Sequence, residues 1–235
     1  MHFLTSYYWE SGRRTINQDS IAIQSVTTKK GPMLMACVCD GLGGLEQGEI
    51  ASGYLVEQIT DWFYNALTRE CQCGACGTRI RKSGYRLFYS VDQELKMYAK
   101  RKNIQLGSTM TMLLLVQRRY YIFHIGDSRA YRIQRQMKQM TQDHTWNEYT
   151  LTRCVGSGIW DRPDCTQGFY RKNDSFLLCT DGFRHYISKD ILQTLFRGTQ
   201  IRDEKEAYRR MKEVGTRNIE RGEKDNISAI YIKVL

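Results

Sequence analysis

Proline is almost missing from this chain: Pro32 and Pro163 are the two in 235 residues. That scarcity excludes a proline-rich linker or tail. Histidine is nearly as rare, with four. No apolar run approaches the roughly 20 residues that cross a bilayer as a helix. The longest, Met33 to Cys39 and Met112 to Val116, have the length of strands. The first ten residues lack a basic stretch leading into an apolar one, so a secretory signal is not expected. No internal repeat, low-complexity segment or linker interrupts the chain. What remains, at 41% hydrophobic and 26% charged residues, is an ordered globular protein. One compact domain over residues 1–235 is the economical expectation.

Acid is in short supply relative to base, and the formal charge is +10. Such an excess can serve nucleic acid, an anionic membrane or anionic substrates. The bases are scattered, however, over Arg118-Arg119, Arg132, Arg135, Lys138, Arg209-Arg210 and Lys212. No long basic block and no DNA- or RNA-binding signature accompanies them. A solvated basic surface is the plainer reading, with neither nucleic acid nor membrane as partner. Eight cysteines occur. Cys37, Cys39 and Cys179 lie in apolar runs and read as small core residues. Cys71, Cys73 and Cys76 crowd a glycine-containing stretch, but no fourth ligand stands at matching spacing. Reduced thiols in a cytosolic loop are expected there rather than zinc.

Periodicity assigns the elements. Ser20 to Thr28 alternates and Met33 to Cys39 is apolar throughout, so both read as strands. Ala51, Leu55, Ile59, Trp62, Phe63 and Ala66 fall on one helical face; Ile80, Leu87, Phe88, Val91, Leu95 and Tyr98 fall on another. Ser108 to Val116, Tyr120 to Ile125 and Ala130 to Gln134 read as strands whose brief links favour antiparallel neighbours. Thr141 to Asn173 reads as irregular. Ser175 to Thr180 is a buried strand and Ser188 caps a helix through Phe196. Asp203 to Asn218 is a charged surface helix, and Ile227 to Val234 closes the chain as a strand. Strand runs alternating with helix pairs predict an α+β fold: a four-layer α-β-β-α sandwich of two antiparallel sheets flanked by helix pairs.

What the chain does have is a series of short motifs. In order they are Arg14-Thr15-Ile16-Asn17-Gln18-Asp19, Asp40-Gly41-Leu42-Gly43-Gly44, Gly107-Ser108-Thr109, Gly126-Asp127-Ser128-Arg129, Asp181-Gly182 and Lys224-Asp225-Asn226. Most of their aspartates stand at the ends of apolar strands. One Asp-Gly alone is a turn signal. Several carboxylates at strand ends, with almost no histidine nearby, point to hard divalent ions, because crowded carboxylates repel one another and hard ions prefer oxygen. Glycine beside a ligand lets a backbone carbonyl reach the ion. Two such ions a few ångströms apart can drive in-line attack on phosphorus.

This ordered set resembles the metal-dependent protein phosphatases of the 2C type, especially the compact bacterial serine/threonine phosphatases. Gly48-Glu49-x-Ala51-Ser52 matches the start of that family's first helix, and Leu178-Cys179-Thr180-Asp181-Gly182 is close to one of its strands. The resemblance covers Arg14 to Val234. It implies Mn2+ or Mg2+, two ions at the core site and a third, weaker one. Asp40 would bridge the two central ions and the Gly41 carbonyl would complete the second. Asp181 and Asp225 would bind the first, and Asp127 with Asp181 would hold the third. Asp19 would act through metal-bound water, and Arg14 would receive the substrate phosphate. On the residues alone, Asp127 could equally turn a hairpin, Arg14 competes with Arg13, and His144 has a core or turn role.

The implied activity is hydrolysis of phosphoserine and phosphothreonine proteins by a metal-bridging hydroxide, without a covalent intermediate. A cysteine-based phosphatase is not expected, on the reading that no Cys-x5-Arg loop is present. The implied partner is a cognate serine/threonine kinase, and the setting a monomeric cytoplasmic protein. Three departures stand out. Leu42 and Leu45 occupy positions where relatives often carry histidine, and the stretch from His144 to Gly156, which carries the family's flap, is short. The rival expectations are a non-catalytic phosphoprotein-binding module of the same fold and, on charge alone, a nucleic-acid-binding protein.

Overall fold

Alternation of side chains along three long central strands builds three apolar layers. The structure is a computed structural model that describes residues 2–42, 47–72, 77–147, 150–158 and 160–235. Strand β1 is Phe3–Glu10, β2 Asp19–Thr28 and β3 Gly31–Asp40. Helix α1, Gly48–Trp62, runs through a π-turn at Phe63–Leu67 into the short α2, Thr68–Gln72. Helix α3 is Gly77–Lys102. Then come β4 Met110–Val116, β5 Arg119–Ile125, β6 Arg129–Ile133 and β7 Met137–Gln139. A small hairpin, β8 Thr145–Asn147 and β9 Thr150–Leu151, precedes β10 Asp164–Phe169 and β11 Ser175–Cys179. The chain ends with α4 Asp181–Arg184, α5 Lys189–Phe196, α6 Glu204–Glu220 and β12 Ile227–Val234.

One sheet has the order β1-β12-β11-β6-β7 and the other β10-β5-β4-β3-β2. Every neighbouring pair is antiparallel. On β3, Leu34, Ala36 and Val38 meet Ile230, Ile232 and Val234 of β12 between the sheets. Met33, Met35, Cys37 and Cys39, pointing the other way, pack with Leu55, Ile59, Phe88 and Val91 of α1 and α3. Ile227, Ala229 and Tyr231 face Ala207, Met211 and Val214 of α6. Period-2 alternation therefore feeds two cores from each central strand. The four-layer sandwich predicted from the sequence is the fold observed.

The structure also corrects the sequence reading. The Thr141–Asn173 stretch contains β10, an edge strand paired to β5. The N-terminal β1 is an edge strand on β12 that periodicity left unassigned. Cys71 lies in α2, buried, and burial first, then the nearby Glu70, pushes its thiol up to about 11. It is a packed thiol in a helix, not a loop residue. Cys73 and Cys76 lie outside the described residues, as do Gly43, Gly44 and Leu45. Asp203 is the N-cap of α6 rather than its first helical residue, its side chain accepting from Glu206 N at 2.8 Å.

Candidate metal centre

All the motif aspartates gather at one end of the sandwich, because each sits where a strand meets that end. Asp19 opens β2 and Asp40 closes β3, and the register pairs them directly. Asp127 lies in the β5–β6 turn, Asp181 follows β11 at the start of α4, and Asp225 precedes β12. Within this cluster Asp40 is the most firmly mounted. Its N–H donates to Thr109 Oγ1 at 3.1 Å, and its carbonyl accepts from Thr109 N at 2.8 Å and Ser108 Oγ at 3.0 Å. Thr109 Oγ1 also shares a 2.8 Å hydrogen bond with the buried Ser128, next to Asp127. The Gly107-Ser108-Thr109 motif is thus the mount of Asp40. Gly41 sits against the start of α1, where an added Cβ would lie 2.2 Å from the Gly48 carbonyl oxygen and 2.7 Å from that of Gln18.

Asp19 is buried, and its Oδ2 accepts from Ser228 Oγ at 2.6 Å and Thr180 Oγ1 at 3.1 Å. Its Oδ1 is buried without a partner among the described residues. An ionised carboxylate has acceptor capacity to fill, so an orphan oxygen in a nest of carboxylates marks a place for a cation or its water. Burial pushes the Asp19 carboxyl up to about 7, with Ser228 and Thr180 pulling down and Asp181 and Asp225 pushing up. Asp40 is held well above the ordinary carboxylate range by burial and then by the charges of Asp19, Asp181, Asp127 and Asp225. Burial and Asp181 push Asp127 up to about 6, against the pull of Arg184. Asp181 is raised by burial and by Asp225. The group repels itself, and every donor in it is a hard oxygen.

The loop from Ser11 to Gln18 closes the site on one side. Asn226 staples it: Nδ2 donates to Ser11 O at 2.9 Å and Ile16 O at 3.1 Å, and Oδ1 accepts from Gln18 N at 2.8 Å. This separates the two arginines. Arg13 donates to Ile219 O at 2.9 Å near the end of α6, whereas Arg14 reaches Asp225 Oδ2 at 3.2 Å and stays half-exposed at the rim. Asp127 does turn the chain, after Gly126 at φ +109, and it also faces Asp181. Arg184 supports that turn by donating to Asp127 O at 3.1 Å, and its charge draws both aspartates down. His144 is structural: its Nδ1 accepts from Gly126 N at 3.0 Å and its ring stacks on His124 at 4.9 Å. Thr180, Ser228, Asn226 and Arg184 are site residues whose roles sequence reasoning missed. No spacing rule signals them, since their partners come from distant segments.

Among the described residues, no three His, Cys, Asp or Glu side chains stand arranged to hold an ion as they are. Two of the aspartates are paired locally instead. Asp181 Oδ1 accepts from Gly182 N at 2.7 Å, Asp225 Oδ1 from Asn226 N at 2.8 Å, and Asp225 Oδ2 from Arg14. The residue set still fits hard divalent ions: oxygen donors, a backbone carbonyl on a glycine, and an orphan carboxylate oxygen.

These directions set a pH dependence. A carboxyl raised from the ordinary 3.8 to about 7 when folded binds more protons folded than unfolded between those values. Stability without metal therefore falls as pH rises through that window. Metal needs the ionised form and offsets the loss. Thermal scans should thus show a larger Mn2+-induced gain at pH 7.5 than at pH 5.0. At a hundred times Kd the gain is about 2.7 kcal/mol, or roughly 5–10 °C for a chain of this size. An equal gain at both pH values would contradict the crowding of charge described here.

Two Cys-x5-Arg spacings are in fact present, contrary to the sequence reading: Cys165 to Arg171, where Cys165 lies within strand β10 paired to Phe123 rather than in a loop, and Cys73 to Arg79. Cys73 lies outside the described residues. Arg79 is exposed in the first turn of α3, so that side of the spacing is helix rather than phosphate-wrapping loop.

The α+β sandwich with its aspartates gathered at one end is the architecture of a known class, the serine/threonine phosphatase fold of the structure compared below. The chain belongs to the protein phosphatase 2C family, whose profile matches residues 11–225. It is 26% identical over 275 aligned residues to a Mycoplasma genitalium protein whose name proposes a protein phosphatase, covering 99% of this chain and 95% of that one. It is 23% identical over 190 residues to the serine/threonine phosphatase Stp of Listeria monocytogenes, covering 72% of this chain and 73% of that one. The crystal structure of the S. agalactiae serine/threonine phosphatase matches with a TM-score of 0.83 at 20% identity, covering 100% of both chains.

Proposed function

We propose that the protein is a Mn2+- or Mg2+-dependent phosphatase of phosphoserine and phosphothreonine proteins. The observation that carries this is the self-repelling carboxylate cluster around Asp40 with the orphan Oδ1 of Asp19 inside it. Asp40, the Gly41 carbonyl, Asp181 and Asp225 would hold two ions, and Asp127 with Asp181 a third. When bound, the metals supply Lewis acidity and a nucleophilic water for direct attack on phosphorus. Arg14, half-exposed beside Asp225, receives the phosphate with its planar fork. Asp19, gripped by Ser228 and Thr180, orients what lies between it and Asp40. The relatives' names support phosphoprotein substrates and, by extension, a cognate kinase. Among the described residues no helix is long and apolar enough to cross a membrane.

The regulatory-module reading is less favoured, because every aspartate that would hold metal is present. Hydrolysis of a phosphothreonine peptide with Mn2+, with a chelator and with Asp181→Asn separates the two. We expect metal-dependent turnover that falls on the order of 10²–10³-fold in the variant, since a metal's charge stabilisation is worth several kcal/mol. Metal binding without turnover would favour the regulatory module.

A further inference from the structure

Between the edge strands β1 and β2 lies a groove of about 740 Å³. Thr5, Tyr7 and Trp9 line one wall, Ile21 and Ile23 the other, with Gly53 and Val56 of α1 beside them. The groove begins at the active site: Asp19 is one of its lining residues, and Trp9 Nε1 donates to Asp19 O at 2.8 Å. Its far end is marked by Glu204. Thr5 to Trp9 spans four strand steps, about 13 Å at roughly 3.3 Å each.

We propose that this groove takes an extended segment of the phosphoprotein substrate flanking the phosphoresidue, with apolar side chains next to the phosphate and a basic residue four or five positions away. This rests on the phosphatase reading above and names the substrate feature it selects.

Four observations support it. Both walls are the outer edges of sheets, and their free backbone groups suit an added strand. Tyr7 and Trp9 are 57% and 49% exposed on the groove face of β1, and neighbouring exposed aromatics mark a binding surface. On a chain of charge +10 this groove is lined by no base, and its exposed acid is Glu204, since Asp19 turns its carboxyl into the aspartate cluster. That balance disfavours acidic flanks and favours a basic one. Finally, Gly53 sits in the interior of α1, where alanine would favour the helix. A Cβ there would meet nothing nearer than Ser20 Oγ at 3.9 Å. Nothing inside the fold demands glycine at this position, and its missing side chain leaves the groove open there.

The test compares wild type, Gly53→Leu and Tyr7→Ala on p-nitrophenyl phosphate and on a phosphothreonine peptide with apolar flanks and a distal lysine. Gly53→Leu fills the groove, and Tyr7→Ala strips its wall without touching the core. We expect KM for the peptide to rise about tenfold in Gly53→Leu and severalfold in Tyr7→Ala. The peptide kcat and all constants for p-nitrophenyl phosphate should stay within twofold of wild type. Wild-type peptide KM in both variants would overturn the groove while leaving the phosphatase reading intact. Absence of metal-dependent turnover of either substrate by wild type would overturn the phosphatase reading and the groove with it.

Discussion

Replacing Asp40 with asparagine should lower metal-dependent turnover of a phosphothreonine peptide by on the order of 10³-fold and, in the same protein, raise the melting temperature of the metal-free form. The two effects have one cause. Asp40 is buried at the end of β3 and faces Asp19, Asp181, Asp127 and Asp225, all pushing its carboxyl above the ordinary range. Ionised, it is repelled by four neighbouring carboxylates. Asparagine removes that charge and keeps nearly the same shape, and the backbone mount through Thr109 and Ser108 is untouched. Without metal the fold should gain, by roughly 2–4 °C for each kcal/mol of relieved repulsion. With metal it should lose the bridging oxygen and the activity. Thermal scans with and without Mn2+, beside turnover, read both. A variant that loses activity and also destabilises the metal-free fold would show that Asp40 is a structural carboxylate instead.

Gly41→Ala should be among the most damaging single methyls at the described glycines. Its Cβ would stand 2.2 Å from the Gly48 carbonyl oxygen and 2.7 Å from the Gln18 carbonyl oxygen. Both obstacles are backbone, so neither can rotate away. The β3 end, the Gln18 turn or the start of α1 must shift. Overpacking of this kind costs about 3 kcal/mol, which lowers Tm by roughly 6–12 °C. The shift falls on the residue next to Asp40, and a displacement of about 1 Å at a reacting centre can cost 10²-fold in rate. Calorimetric unfolding and peptide turnover check the two numbers independently. Wild-type values for both would mean that the crossing of Gly41 and Gly48 is looser than the structure has it.

The central strands were legible because burial on both faces writes an unbroken apolar run, as in Met33 to Cys39. β12 was legible to the residue, Ile227–Val234. The edges were not. β1 turns Leu4, Ser6 and Tyr8 inward and leaves Tyr7 and Trp9 out, so its pattern reads as neither core strand nor helix. β10 carries Asp, Thr, Gln and Gly and is a strand because β5 offers it an edge. The site divides in the same way. Three of the gathered aspartates, Asp40, Asp181 and Asp225, stand out in the sequence by their Asp-Gly and Asp-Asn settings. What grips the cluster could not be read: Thr180 and Ser228 lie 161 and 209 positions from the Asp19 they hold. Arg13 and Arg14 were indistinguishable until the loop held by Asn226 sent one to α6 and the other to Asp225.

The central claim is that these carboxylates are a metal site, and a calorimetric titration of metal-free protein with Mn2+ at pH 7.5 tests it most directly. Wild type should bind two equivalents and release protons on binding as raised carboxyls ionise, and Asp40→Asn should lose at least one equivalent. Stoichiometric binding that Asp40→Asn leaves unchanged, or no binding at millimolar Mn2+, would contradict that claim.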